Sequence, residues 1–108
     1  MKKINNIEEL NILLENNTIV FLYFSTPTCN VCKALLPKVE SLLKDYPEIE
    51  RRYIDMTHFK ELSSRFSIFT FPTVILYVDG KETIRQARFV SINELESSLN
   101  RYYSIIYD

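Results

Sequence analysis

The chain has 108 residues, of which 46% are hydrophobic, so it is long enough to form one domain with its own core. Its 13 basic and 14 acidic residues leave a formal net charge of -1, which argues against binding to a nucleic acid backbone. The amino-terminal residues lack the pattern of a signal peptide, and no apolar run approaches the roughly 20 residues of a membrane-spanning helix. We expect a single domain over residues 1–108 that binds neither nucleic acid nor membranes.

The small numbers of cysteine and glycine residues exclude further classes of function. Two cysteines are too few for the disulfide framework of a small secreted protein, so a reducing, cytoplasmic location is the simpler interpretation. Any disulfide in such a compartment would be redox-active rather than structural. Glycine occurs once, at Gly80, which excludes the glycine-rich loops that hold nucleotide phosphates. We therefore expect no cofactor.

The first half of the chain alternates between helical and strand patterns. Asn6, followed three residues later by a glutamate, is typical of a helix start, and this first helix is expected to end near Asn16. Residues 19–24 are apolar without interruption, which indicates a central strand buried on both faces. A second helix is expected over residues 31–45, with a kink at Pro37.

The second half begins with a weaker strand pattern over residues 50–55, followed by apolar residues at helical spacing over 59–66. Residues 73–78 predict another strand. Asp79-Gly80 is a strong hairpin signal, so an antiparallel partner strand is expected to run to about Phe89.

A last helix is predicted after Ser91, which forms a second capping pattern with Glu94. The resulting order of elements predicts an α/β protein in which a central mixed β-sheet is flanked by helices on both faces.

The sequence Cys29-Asn30-Val31-Cys32 lies where the central strand gives way to the second helix. At a helix N-terminus the unpaired backbone N–H groups stabilise a thiolate and so lower the pKa of the first cysteine. The second sulfur lies one helical turn on and is placed to attack a mixed disulfide. The motif therefore predicts thiol–disulfide exchange with Cys29 and Cys32 as the catalytic residues.

Three other interpretations of the two cysteines stay open. A zinc site normally needs four protein ligands, and with only His58 available to help it would need carboxylates or a second chain, so we expect no metal. A purely structural disulfide would close too short a loop to stabilise the fold much. Two inert core cysteines would leave their position at the start of a helix unexplained.

The sequence resembles the thioredoxin family in features spread over most of its length. Lys33 follows the cysteine pair, and Pro37 lies eight residues after Cys29, as in the active-site helix of thioredoxins. The segment Phe71-Pro72-Thr73 opens a strand, with Pro72 43 residues after Cys29, where the family places its cis-proline motif.

The resemblance implies the thioredoxin fold and a thiol–disulfide oxidoreductase. Its substrate would be a disulfide-containing protein or a low-molecular-weight thiol compound, and a thioredoxin reductase is a candidate electron donor. By the same resemblance Phe71 and Pro72 are candidate substrate-binding residues, with the Phe71 backbone available to pair with an extended segment. Thr28 stands where the family usually carries tryptophan and is a third candidate. Asn30-Val31 replaces the usual Gly-Pro spacer.

Two further departures from the family concern protons and charge. The buried acid of the family falls at Tyr23 here and its partner lysine near Tyr53, so the usual proton acceptor for the second cysteine is missing and Asp55 is a candidate substitute. Arg88 or a neighbour replaces a glycine, which would crowd or charge the substrate groove. These departures leave open a second hypothesis, a thioredoxin-fold binding module with little redox turnover.

Overall fold

A computed structural model describes residues 1–107, which form four helices and four strands. In chain order the elements are α1 (Ile7–Asn16), β1 (Ile19–Ser25), α2 (Asn30–Leu43), β2 (Glu50–Asp55), α3 (Leu62–Phe66), β3 (Thr73–Val78), β4 (Lys81–Ala87) and α4 (Ile92–Tyr107). None of these helices is both long and apolar enough to cross a membrane.

The four strands form one mixed sheet in the order β2-β1-β3-β4. β1 pairs in parallel with β2 and antiparallel with β3, and β4 pairs antiparallel with β3. Every residue of β1 is buried, which confirms its predicted central position. Outside the named strands, Lys3 forms a parallel bridge with Tyr53 on the open edge of β2, a pairing that the hydrophobic pattern did not predict.

Alternate residues of the sheet contribute to two separate cores. Val20, Leu22 and Phe24 pack on the side of α1 and α3. Phe21 and Tyr23 point the other way and pack on the side of α2 and α4. The predicted mixed sheet with helices on both faces is therefore confirmed.

Local side-chain chemistry explains where several elements begin and turn. The Asn6 side chain accepts a hydrogen bond from the Glu9 amide at 2.8 Å, which caps α1. Asp79 and Gly80 have φ angles of 52° and 76°, the left-handed values that a two-residue hairpin turn requires. The predicted hairpin between β3 and β4 is confirmed.

Two predicted boundaries are wrong. β4 ends at Ala87 rather than near Phe89, because Arg88 has a left-handed φ of 70°, which is not a strand conformation. The Arg88 amide still donates to the carbonyl of Pro72 at 2.7 Å, but Pro72 has no N–H with which to return a bond. α3 contains only five residues, Leu62–Phe66. Phe59 lies before this helix, in the turn that follows β2. There the amides of His58 and Phe59 donate to the backbone carbonyl of Asp55.

Candidate active site

The two cysteines lie at the first turn of α2, directly after β1. The chain turns when the Cys29 amide donates to the Thr26 carbonyl at 3.2 Å, and Cys29 then serves as the N-cap of the helix. Its Sγ accepts a hydrogen bond from the Cys32 amide at 3.2 Å. The two residues form a disulfide, with their Cα atoms 5.2 Å apart.

The two sulfur-bearing residues differ in exposure. Cys29 is half-buried, whereas Cys32 is 1% exposed and packs in the core between the sheet, α2 and α4. A thiolate on Cys29 would keep the Cys32 amide as a hydrogen-bond donor, because a helix N-terminus presents N–H groups that have no helical partner. The arrangement thus offers one partly exposed cysteine and one that is protected from solvent.

The proline loop lies beside the end of β1. Phe24 pairs with Thr73, so Pro72 is next to the strand end from which the chain turns to Cys29. The Phe71–Pro72 peptide bond is cis. Pro72 is buried, whereas Phe71 is half-buried and contacts both cores.

An open groove of about 330 Å³ joins the cysteine helix to the proline loop. Val31 and Leu35 line it from α2, Pro72 from the loop, and residues 88–91 from the segment that follows β4. Val31, which lies between the two cysteines, is 62% exposed, and Phe89 is 83% exposed. Of the three candidate substrate-binding residues, only Pro72 lines this groove. Thr28 is exposed in the turn before Cys29.

A hydrogen bond from the sheet holds the backbone of Cys32. The Tyr23 hydroxyl donates to the Cys32 carbonyl at 2.7 Å. Tyr23 is fully buried, pairs with Tyr53 in the sheet and stacks on its ring, with the ring centroids 5.8 Å apart. Burial, aided by the neighbouring Tyr53, raises the pKa of Tyr23. Sequence reasoning missed this contact, and its only signal was a tyrosine at the position of the family acid.

Asp55 is unsuited to replace the missing acid. Its Oδ1 accepts hydrogen bonds from the Thr57 amide at 2.9 Å and from the Thr57 hydroxyl at 2.6 Å. Burial alone would raise the pKa of Asp55, but these two bonds, with His58 and Lys3 nearby, hold it below its ordinary value. A carboxylate that is satisfied in this way is a weak proton acceptor near neutral pH.

The comparisons with known proteins agree with this geometry. The family model described as Thioredoxin matches residues 2–101. The thioredoxin-like protein YdfQ of Bacillus subtilis is 34% identical over 105 residues, which cover 97% of this chain and 94% of that protein. The thioredoxin of Mycoplasmoides gallisepticum is 35% identical over 99 residues, which cover 92% of this chain and 99% of that one.

Among solved structures, Plasmodium falciparum thioredoxin superposes with a TM-score of 0.85 over 94% of this chain and 99% of that chain, at 20% identity, and so shares the fold. The chain therefore belongs to the thioredoxin family, and its C-x-x-C pair at disulfide distance is consistent with the thiol–disulfide oxidoreductase function of that family.

Proposed function

We propose that the protein is a dithiol–disulfide oxidoreductase in which Cys29 attacks the substrate and Cys32 resolves the intermediate. The observation that carries this proposal is the difference in exposure between the two cysteines at the helix N-terminus. Only the Cys29 sulfur can meet a disulfide on another molecule. The Cys32 sulfur meets the Cys29 sulfur within the same helical turn.

The reaction balances as two successive exchanges. The Cys29 thiolate attacks one sulfur of the substrate disulfide and forms a Cys29–substrate disulfide with it, and the other substrate sulfur leaves as a thiolate that takes up a proton. Cys32, after losing its proton, then attacks the Cys29 sulfur. This step forms the Cys29–Cys32 disulfide and releases the second substrate thiol, so two electrons and two protons pass to the substrate.

The groove and the proline loop are the proposed substrate-binding surface. Within residues 1–107 the amide and carbonyl of Phe71 have no hydrogen-bond partner, so an extended segment could pair with them as an added strand. Pro72 and Val31 would contact the residues that flank the substrate disulfide. Thr28, exposed beside Cys29, would contact the segment on the other side of the attacked sulfur.

Arg88 gives this surface a positive charge. Its side chain is exposed, and it forms no ion pair within the described part of the chain. We expect a preference for disulfides flanked by acidic residues, an effect that weakens as salt is added. Exchange with an acidic and a basic disulfide peptide, compared between the native protein and Arg88→Gln, measures this preference.

We further propose that the chain acts as one domain in the cytoplasm, on disulfide-containing proteins or on low-molecular-weight disulfides, with a thioredoxin reductase returning it to the dithiol form. The use of only two cysteines, both in the active motif, supports a reducing compartment. Reduction of the purified protein by a bacterial thioredoxin reductase and NADPH would test the proposed electron donor.

Trapping of the mixed disulfide tests the proposed function. Cys32→Ser, incubated with glutathione disulfide or a disulfide peptide, should accumulate an adduct on Cys29 that intact-mass measurement detects. Cys29→Ser is the matched control and should give no such adduct. If Cys32→Ser forms no adduct while Cys29→Ser still binds the same disulfide peptide, the protein is a binding module and the oxidoreductase proposal is wrong.

A further inference from the structure

We propose that Tyr23 is a positioning residue for the resolving step, because its hydroxyl fixes the backbone of Cys32 and so holds the buried sulfur against the sulfur of Cys29. This inference rests on the exchange reaction proposed above. It concerns the second exchange only and leaves the first attack by Cys29 unchanged.

The contact joins the central strand to the first turn of the cysteine helix. The Tyr23 hydroxyl donates to the Cys32 carbonyl at 2.7 Å, and no atom of the tyrosine is exposed. Pro37 lies inside α2 and has no N–H, so the carbonyl of Lys33 lacks its usual helical donor. The helix therefore lacks the backbone hydrogen bond to the residue directly after Cys32. The Tyr23 hydroxyl supplies a bond from the sheet to the neighbouring carbonyl, that of Cys32.

The orientation of the tyrosine is itself fixed by its neighbours. Tyr23 pairs with Tyr53 across β1 and β2, and the two rings stack with an interplanar angle of 25°. The packed ring therefore fixes the direction in which the hydroxyl points. Because burial raises the pKa of Tyr23, the hydroxyl keeps its proton and acts as a donor, not as a base.

This role follows from the missing acid. A carboxylate at this position could take the proton of the second thiol, but a tyrosine that donates to a carbonyl cannot do so. Burial of Cys32 also disfavours its thiolate. The second exchange must then rely on holding the two sulfurs close together, because a high effective concentration compensates for a small fraction of reactive thiolate.

Tyr23→Phe removes one oxygen and keeps the ring, so the variant should fold as the native protein does. The hydrogen bond is present in the disulfide form, and its loss should disfavour this form more than the dithiol, in which the two sulfurs are no longer joined. We expect ring closure of the mixed disulfide to be roughly threefold to tenfold less favourable and slower. The reduction potential should then rise by about 15–30 mV, at about 30 mV per tenfold change.

Tyr53→Phe is the matched control, because it removes a hydroxyl from the stacked partner ring without touching Cys32. Two quantities are measured for the native protein and both variants: the potential, by equilibration with glutathione, and the rate at which a preformed Cys29 mixed disulfide closes. The potential and the closing rate should change in Tyr23→Phe alone.

Unchanged potential and closing rate in Tyr23→Phe, or equal changes in Tyr53→Phe, would overturn the role of Tyr23. The rate of initial attack by Cys29 separates this outcome from failure of the proposed function. If the reduced native protein attacks no disulfide and the oxidised native protein is reduced by no thiol, the proposed function fails. If only the effect of Tyr23→Phe is absent, the positioning role fails.

Discussion

Arg51 binds the carboxyl-terminal end of the cysteine helix through a single guanidinium group. Its Nη1 donates to the carbonyl of Leu43 at 2.8 Å, and its Nη2 donates to the carbonyls of Tyr46 at 2.6 Å and Ile49 at 2.7 Å. The planar fork of an arginine can reach several carbonyls at once, and its charge also suits the negative end of a helix. We predict that Arg51→Met destabilises the protein without altering the helix N-terminus.

The structure sets the size of this loss. Methionine keeps most of the apolar stem, so the change removes the hydrogen bonds and the charge. The carbonyls of Leu43 and Tyr46 also accept backbone bonds, from the amides of Tyr46 and Ile49, so neither is left without a donor. Because bonds from a charged donor contribute about 1.5–3 kcal/mol and bonds that share one donor group do not add, we expect a loss of about 2 kcal/mol.

Urea unfolding at pH 7 measures this loss as a fall of about 1–2 M in the midpoint, with the slope unchanged. Arg51→Lys is the control, because lysine keeps the charge but lacks the planar fork, and we expect it to lose about half as much. If Arg51→Lys were as stable as the native protein, charge alone would account for the effect and the argument from the fork would be wrong. Native stability in Arg51→Met would refute both.

Three further predictions concern stability. Thr57→Val removes a bond to the Asp55 carboxylate and should cost about 1.5–3 kcal/mol at pH 7. Because the pKa of Asp55 is lowered in the folded protein, its ionised form stabilises the fold above the unfolded pKa, and this stabilisation is lost as the pH falls through the folded pKa. In urea titrations the Thr57→Val deficit should therefore shrink as the pH is lowered below the ordinary pKa of an aspartate, about 4, and a constant deficit would contradict the assignment. Gly80→Ala places a side chain at a φ of 76° and should cost about 1–2 kcal/mol by thermal unfolding, with a smaller cost for Gly80→Asn, whereas equal costs would argue against backbone strain. Asn6→Ala removes the cap of α1 and should cost about 1 kcal/mol in urea, while Asn6→Asp should retain most of it; equal losses would point away from capping.

The parts of the fold that depend on local pattern were predictable from sequence. The short uninterrupted run that contains Phe21 and Leu22 is apolar, aromatic and β-branched, which suits a strand covered on both faces, and Asp79-Gly80 permits the left-handed angles of a tight hairpin. In each case the physical cause lies within a few consecutive residues.

Features that depend on contacts between distant residues were not predictable in this way. β4 ends at Ala87, where the Arg88 amide that follows bonds to Pro72, which has no N–H to return the bond, and that pairing is known only once the sheet has formed. The same dependence on distant partners applies to the bridge between Lys3 and Tyr53 and to the hydrogen bonds of the Arg51 guanidinium. An arginine in a strand pattern gives no indication of which carbonyls it will reach.

In the candidate site, too, features set by neighbouring residues were predictable and contacts between distant residues were not. The spacing of Cys29 and Cys32 after a buried strand indicated the helix N-terminus, because the motif and its setting are contiguous in the chain. The contact of Tyr23 with Cys32 could not be predicted, since it depends on how closely α2 approaches β1. The missing acid was visible from the family resemblance, but the group that occupies its place needed the packed structure to be understood.

The cysteine helix is thus attached to the sheet at both ends by one side chain from each of two neighbouring strands. Tyr23 binds its first turn and Arg51 its last, and its 14 residues separate the two ends by about 20 Å. Contacts this far apart should act independently, so the loss of stability caused by Arg51→Met should be the same to within about 0.5 kcal/mol in the native and the Tyr23→Phe protein. Arg51→Met should also leave the reduction potential at its native value. A shift in Arg51→Met as large as that of Tyr23→Phe would mean that the helix moves as a rigid body, and that the hydroxyl of Tyr23 does not act locally on Cys32.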